Sequence, residues 1–361
     1  MHTHIDQPRA VRDDDALDID SVSAWLRERV PGLAGAPTVQ QFRGGASNLT
    51  YLLQWPASAT SPGRELILRR PPFGHKARSA HDMGREVRFL RALRPVYDGL
   101  PEVIAHCEDE TVAAGEFYVM ERLRGVILRQ DIPPTLGLDA ARTRALCDNV
   151  LDRLVALHTI DIAAHGLEHL GRGAGYVGRQ IAGWSRRYRA AVTPGAADFE
   201  RVMAWLDANQ PDDVATCVIH GDFRFDNVVL DQGDPTRPVG VLDWEMATLG
   251  DPLMDLGSSL AYWVEAEDEL VMQMMRRQPT NAPGMRTRDE VWAYYAERTG
   301  RVIDDTDFYE VYGLFRLAAI LQQIWYRFHH GQTSNPAFSA FGDLAVYLDA
   351  RCQGILDQRG E

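Results

Sequence analysis

Three polar side chains in the second half of the sequence have the types and spacing of a phosphoryl-transfer site. In His220-Gly221-Asp222-Phe223-Arg224-Phe225-Asp226-Asn227 a carboxylate is followed five positions later by an amide, and sixteen positions beyond that amide Gly240-Val241-Leu242-Asp243-Trp244 brings a second carboxylate. Moving a phosphoryl group from a nucleotide to a hydroxyl requires a base that orients the attacking oxygen and oxygen ligands for Mg²⁺. Asp222 has the chemistry for the first task, and Asn227 and Asp243 for the second. A single His-Gly-Asp more often caps a turn. The three-part spacing, with Gly250-Asp251-Pro252 behind it, argues for a site instead.

Short elements must position these groups. Thr216-Cys217-Val218-Ile219 is a β-branched run entering the loop, and Val228-Val229-Leu230 with Val239-Gly240-Val241-Leu242 reads as a hairpin around the turn-rich segment 231–238. Further upstream, Arg43-Gly44-Gly45-Ala46-Ser47-Asn48 joins two strand-like runs. The backbone at Gly44 and Gly45 can approach phosphates closely, and Ser47 and Asn48 add donors. No Gly-x-x-x-x-Gly-Lys-Ser/Thr occurs, which removes a P-loop.

Composition bounds the remainder. With 361 residues, 45% hydrophobic and 25% charged, the chain is long enough for two lobes with ample core. A net charge of −13 argues against nucleic acid as a partner, and no run of eighteen apolar residues predicts a membrane span. The polar, acid-rich start lacks the order of a signal peptide. Cys107, Cys147, Cys217 and Cys352 are widely spaced and read as reduced thiols of a cytoplasmic protein. Lys76 is the only lysine among 38 basic residues, so any cationic role falls to it or to an arginine.

Periodicity predicts the helices. Asp18 to Val30 carries one apolar stripe, and a capped helix begins near Ser79, with Met83, Val87, Leu90 and Arg94 in line and Glu86 beside them. Leu138 to Thr159 reads as a long helix in which His158 packs or caps. Tyr176 to Arg189 holds Arg179, Arg186, Arg187 and Arg189 with Trp184 and Tyr188 and no acid. Such a helix suits an anionic ligand, and suits equally an ordinary solvated face. Segments 287–299, 307–328 and 338–356 complete the helical half, with Trp325 and Tyr326 expected in the core. The acidic run 266–269 is expected on the surface, and His329-His330 lacks a third ligand at zinc spacing.

His-Gly-Asp-(four residues)-Asn followed by Leu-Asp-Trp-Glu and Gly-Asp-Pro resembles the aminoglycoside phosphotransferase and choline kinase superfamily, a relative of the protein kinases. His-Gly-Asp stands where protein kinases carry His-Arg-Asp, and Leu-Asp-Trp where they carry Asp-Phe-Gly, which points to a small-molecule kinase. The run Leu-Arg-Arg-Pro-Pro with Ser-Ala-His-Asp-Met and Arg-Glu-Val is most similar to the phosphotransferase domains of acyl-CoA dehydrogenase family members ten and eleven. The resemblance covers Phe42 to Leu260.

It implies an α+β, two-lobed protein-kinase-like fold, with a small, mostly β lobe over 1–123 and a larger helical lobe over 124–361. It implies ATP or another nucleoside triphosphate, Mg²⁺, and a hydroxyl-bearing small molecule of hydroxyacyl type as acceptor. Asp222 is then the catalytic base, and Asn227 and Asp243 the metal ligands. Arg69, in phase where kinases place a lysine on the third strand Glu65 to Arg70, holds the nucleotide phosphates with Glu86 as its partner; Lys76 is the alternative anchor. Met120 backs the adenine pocket, with the Glu121 carbonyl and Leu123 N–H on the adenine edge. His220, Asp251 and Asp255 brace the catalytic loop, and Arg179, Trp184 and Arg187 meet the acceptor. An antibiotic-modifying kinase and a nucleotide-binding pseudokinase are the alternatives.

Overall fold

The computed structural model describes residues 7–42, 48–57, 63–72 and 82–361. Two compact units emerge: residues 1–127 together with 227–247, and residues 128–226 together with 248–361. Of the sequence expectations, Gly44, Gly45, Ser47 and Lys76 lie outside the described residues.

The first unit is an antiparallel sheet of β1 (Thr38–Gln41), β2 (Leu49–Trp55), β3 (Arg64–Arg70), β4 (Val103–Cys107) and β5 (Phe117–Glu121), in the order β1-β2-β3-β5-β4. Its helices are α1 (Ile19–Arg27), α2 (Met83–Leu93) and the single turn α3 (Glu110–Ala113). Alternation along β3 sends Leu66 and Leu68 into a core with Val22, Leu26, Tyr51, Leu53, Phe117 and Val119. Ile67 and Arg69 take the other face, which is buried too. Asp82 caps α2 by accepting from Arg85 N–H at 2.8 Å, and the predicted stripe Met83, Val87 and Leu90 is buried together with Glu86. A hairpin of Val228–Leu230 and Pro238–Val241 completes the unit. It is tied on by the bridge between Val126 and Leu230 and by Val241 N–H donating to the Gly99 carbonyl at 2.9 Å.

The second unit is helical: α4 (Ala140–His158), α5 (Tyr176–Ala190), α6 (Glu200–Ala208), α7 (Pro252–Leu260), α8 (Leu270–Met275), α9 (Arg288–Thr299), α10 (Thr306–His329) and α11 (Phe341–Arg359). A short pair of strands, Cys217–Ile219 with Thr248–Gly250, carries the chain into and out of the loop at Asp222. The central helix α10 packs on α5, α6, α7 and α11. Gly257 and Gly313 lack the Cβ atoms that would hold the α7 and α10 backbones apart. No helix among the described residues is long and apolar enough to cross a membrane.

Two expectations are corrected here. Within the acidic run, Asp268 is not a solvated surface residue: its side chain is 8% exposed and accepts two bonds from Arg288, at 2.7 and 2.9 Å, with Arg351 at 3.3 Å. A stretch of acids looks solvent-facing in one dimension, whereas arginines 20 and 83 positions away neutralise this one. Trp325 and Tyr326 lie half-buried near the end of α10 rather than in the core, with the Trp325 indole donating to Thr193 Oγ1 at 3.2 Å.

Candidate active site

In the first unit the site is built around Arg69. Strand register sets it between Thr50 of β2 and Tyr118 of β5, on the face that α2 covers. Nη1 donates to Glu86 Oε1 at 2.7 Å and Nη2 to Asp243 Oδ1 at 2.8 Å, and Glu245 stands 3.8 Å away. Burial works against the charge of Arg69, but the carboxylates of Glu86 and Asp243 outweigh it and hold the guanidinium firmly protonated. Burial pushes the Glu86 carboxyl up, partly offset by Arg69, and pushes the Tyr118 phenol up, with Glu86 adding to the effect.

Asp243 reaches Arg69 through a bend. Its backbone is left-handed, with φ 68°, an uncommon conformation that Asp tolerates better than most residues. The next residue anchors the bend: Trp244 is buried, donates its indole N–H to the Val241 carbonyl at 2.9 Å, and meets the Tyr97 ring edge-on at 5.7 Å. The Asn227 main-chain carbonyl accepts from Leu242 N–H at 2.8 Å, so Asn227 and Asp243 share one end of the hairpin. Asn48 is buried and donates to Glu245 Oε2 at 2.6 Å. Met120 is buried opposite Ile67. The Glu121 N–H donates to the Glu102 carbonyl at 2.9 Å, and Leu123 packs against Gly240.

In the second unit the loop His220 to Asp222 is fixed by its own backbone. Asp255 on α7 accepts from the N–H groups of His220 and Gly221, at 2.9 and 2.8 Å, and meets His158 Nε2 at 3.1 Å. Burial works to raise the Asp255 carboxyl, yet His158 and the loop N–H groups hold it below the ordinary carboxylate range. Tyr295 meets the other nitrogen of His158 at 2.8 Å, so the expected packing histidine is a bridge between helices. Asp251 caps α7 through Leu253 and Met254 and also accepts from Val214 N–H at 2.7 Å. Gly221 takes φ +79°, which favours glycine there, and its carbonyl accepts from the buried Arg316 at 2.7 Å.

Arg224 holds the catalytic candidate. It lies 3.2 Å from Asp222 and 3.0 Å from Asp226, with its guanidinium 4.7 Å over the Tyr262 ring. Burial pushes the Asp226 carboxyl up, Arg224 opposing and Asp222 reinforcing. Of the proposed acceptor residues, Arg187 stacks on the buried Trp184 at 3.9 Å. Arg179 turns back to the carbonyls of Gly173 and Ala174, at 2.7 and 2.5 Å, securing the start of its own helix.

Sequence reasoning passed over Arg224, Glu245, Tyr118 and Arg316. Arg224 and Glu245 each stand two positions after a singled-out aspartate, and that adjacency was the available signal. Tyr118 and Arg316 join the site only through strand pairing and helix packing. Among the described residues no three potential ligands cluster in the manner of a His/Cys/Asp/Glu metal centre.

The model of the phosphotransferase enzyme family matches residues 38–291, and the chain belongs to this family. It is 32% identical over 347 residues to acyl-CoA dehydrogenase family member 10 of Mus musculus, covering 95% of this chain and 32% of that protein. It therefore spans about a third of that relative's length. Among solved structures it is similar to a candidate aminoglycoside phosphotransferase of Ralstonia eutropha JMP134, with 31% identity, TM-score 0.77 and coverage of 95% and 99% of the two chains. It also shares its fold with aminoglycoside phosphotransferase APH(4)-Ia in ternary complex with AMP-PNP and hygromycin B, at 16% identity, TM-score 0.57 and coverage of 93% and 98%. The fold is kinase-like, as expected from the sequence, and the chain is a kinase-type phosphotransferase by family.

Proposed function

We propose that this protein transfers the terminal phosphoryl group of ATP, with Mg²⁺, to a hydroxyl of a small acceptor of hydroxyacyl type. The observation that carries the reading is the fixing of the Asp222 loop: Asp255 holds the main chain of His220 and Gly221, and Arg224 holds the Asp222 carboxylate itself. In a reaction with little covalent chemistry for the protein to perform, positioning of this kind supplies most of the acceleration. Asp222 accepts the acceptor's hydroxyl proton as the new oxygen–phosphorus bond forms and the bond to the departing ADP oxygen breaks.

The donor set fits Mg²⁺. Asn227 and Asp243 present an amide and a carboxylate from one hairpin end, both hard oxygen donors, and the Asp243 side chain is 32% exposed. Bound Mg²⁺ and ATP supply the phosphoryl donor and the charge neutralisation that phosphoryl transfer needs. Arg69, kept charged by Glu86, adds a fixed cation. Structural likeness to an enzyme solved with AMP-PNP and hygromycin B supports a nucleotide and a hydroxylated acceptor on this fold.

A second reading, nucleotide binding without turnover, has one observation in its favour. Both Nη atoms of Arg69 are engaged by carboxylates, one of them Asp243. A single experiment separates the two. Mg·ATP raises the melting temperature in both readings because it binds the folded state; only in the first does ADP appear with a phosphorylated acceptor. In the catalytic reading, Asp222→Asn lowers kcat by about a hundredfold to ten-thousandfold and preserves the melting shift. Unchanged turnover in that variant overturns Asp222 as the base.

A further inference from the structure

The second unit contains a cavity of about 550 Å³, within the size range of small-molecule sites. Its walls are largely apolar, formed by Val264, Met272, Leu317, Leu321, Phe341 and Leu344. Unbranched, polarisable methionine adapts to chains of varied shape.

Half of the polar lining residues are arginines, beside Gln130, Asp226 and Tyr262. These are Arg129, Arg276 and Arg277, in a chain whose net charge is −13. Arg276 is paired with Asp131 at 2.8 Å and with the Gln130 carbonyl, its side chain is 11% exposed, and its Nε is buried without a hydrogen-bond partner. Arg277 is exposed and makes no hydrogen bond or ion pair among the described residues. A third side of the cavity is Asp226 and Tyr262, the two residues that flank Arg224. Through Arg224, at 3.0 Å from Asp226 and 3.2 Å from Asp222, the cavity is connected to the catalytic candidate.

We propose that this cavity seats the acceptor, an anionic molecule with a single aliphatic chain. The chain lies along the methionine and leucine wall, a carboxylate or phosphate meets the arginines, and the reacting hydroxyl is directed to the Asp226 side. The inference rests on the kinase reading and deepens it. Two features select this ligand. Apolar walls leave the hydroxyls and amines of an aminoglycoside without hydrogen bonds, a costly burial, and the arginines repel a polycation while attracting an anion.

The test is calorimetric titration of the full chain, without nucleotide, with straight-chain carboxylates and alkyl phosphates of increasing length. Affinity should rise about fourfold per added methylene until the cavity is filled, then level off. The more tightly bound series identifies the head group. Leu344→Trp, which narrows the cavity from α11, should bring the plateau to shorter chains. Arg277→Glu should weaken both anionic series at least tenfold and leave the matching alcohols unchanged; being an exposed substitution, it decides the matter even where Leu344→Trp fails to fold. Affinity independent of chain length, or an unaltered anion preference in Arg277→Glu, overturns the proposal. Chain binding without phosphoryl transfer would overturn the kinase reading alone, and transfer without chain binding would overturn the cavity's role alone.

Discussion

Arg69 serves two carboxylates on different elements, Glu86 on α2 and Asp243 beyond the hairpin. A planar fork can do this; an ammonium on a flexible stem is a single point of charge. With Glu86 1% exposed, Arg69→Ala strands a buried carboxylate, and the loss should be about 3–5 kcal/mol in denaturant unfolding, with weakened binding of Mg·ATP. Arg69→Lys should recover part of the stability. A variant as stable as the parent, with unaltered nucleotide affinity, would move the cationic role elsewhere. At this scale the pairing of Arg69 with Glu86 was legible from the resemblance and from the apolar helical stripe beside Glu86. The sequence was illegible where partners come from remote elements, as with Asn48 and Glu245, 197 positions apart.

At the level of elements, α7 acts as a brace because its first turn carries two buried aspartates with different tasks. Asp251 caps the helix, and Asp255 one turn later reaches the loop N–H groups. The Asp255 carboxyl lies lower in the folded than in the unfolded chain, so its ionised form favours folding. That contribution is complete above the ordinary carboxylate range and is lost as pH falls through the depressed folded value. Unfolding free energy measured from neutral to acid pH should therefore show an acid decline that Asp255→Asn flattens. The same variant should cost about 2–4 kcal/mol at neutral pH through its weakened hydrogen bonds. An acid limb identical in both proteins would remove Asp255 from this role. Helices were readable from period and caps, as for α4, whose Asp139 accepts from Arg142 N–H at 2.8 Å. β3 was readable only by its branched residues and flanking prolines, since both its faces are covered and alternation marks no solvent side.

For the molecule as a whole, the cysteines and charges give the clearest expectations. All four thiols are buried and free, and burial pushes Cys147 up to about 12. A thiol reagent should label the native protein very slowly and all four sites after unfolding, and the melting temperature should not change with reductant. Rapid native labelling would contradict the burial. The absence of Cys-x-x-Cys pairs made this legible beforehand, and composition alone suggested a large apolar core. The cavity beside Asp226 was not legible, because its walls come from α8, α10, α11 and several segments between helices, and no linear pattern joins them.

The hairpin 227–247 belongs to the first unit although the chain before and after it belongs to the second. Synthesis runs from the N-terminus, and domains ordinarily fold as they emerge. Here the first unit remains incomplete until residue 247 has left the ribosome, more than a hundred residues after its sheet has been translated. A fragment ending at Ile127 should accordingly fail to give a cooperative melt, and its addition to a separately made remainder should not substitute for continuous translation. For this chain the first half to be written matures only after most of the second has been translated.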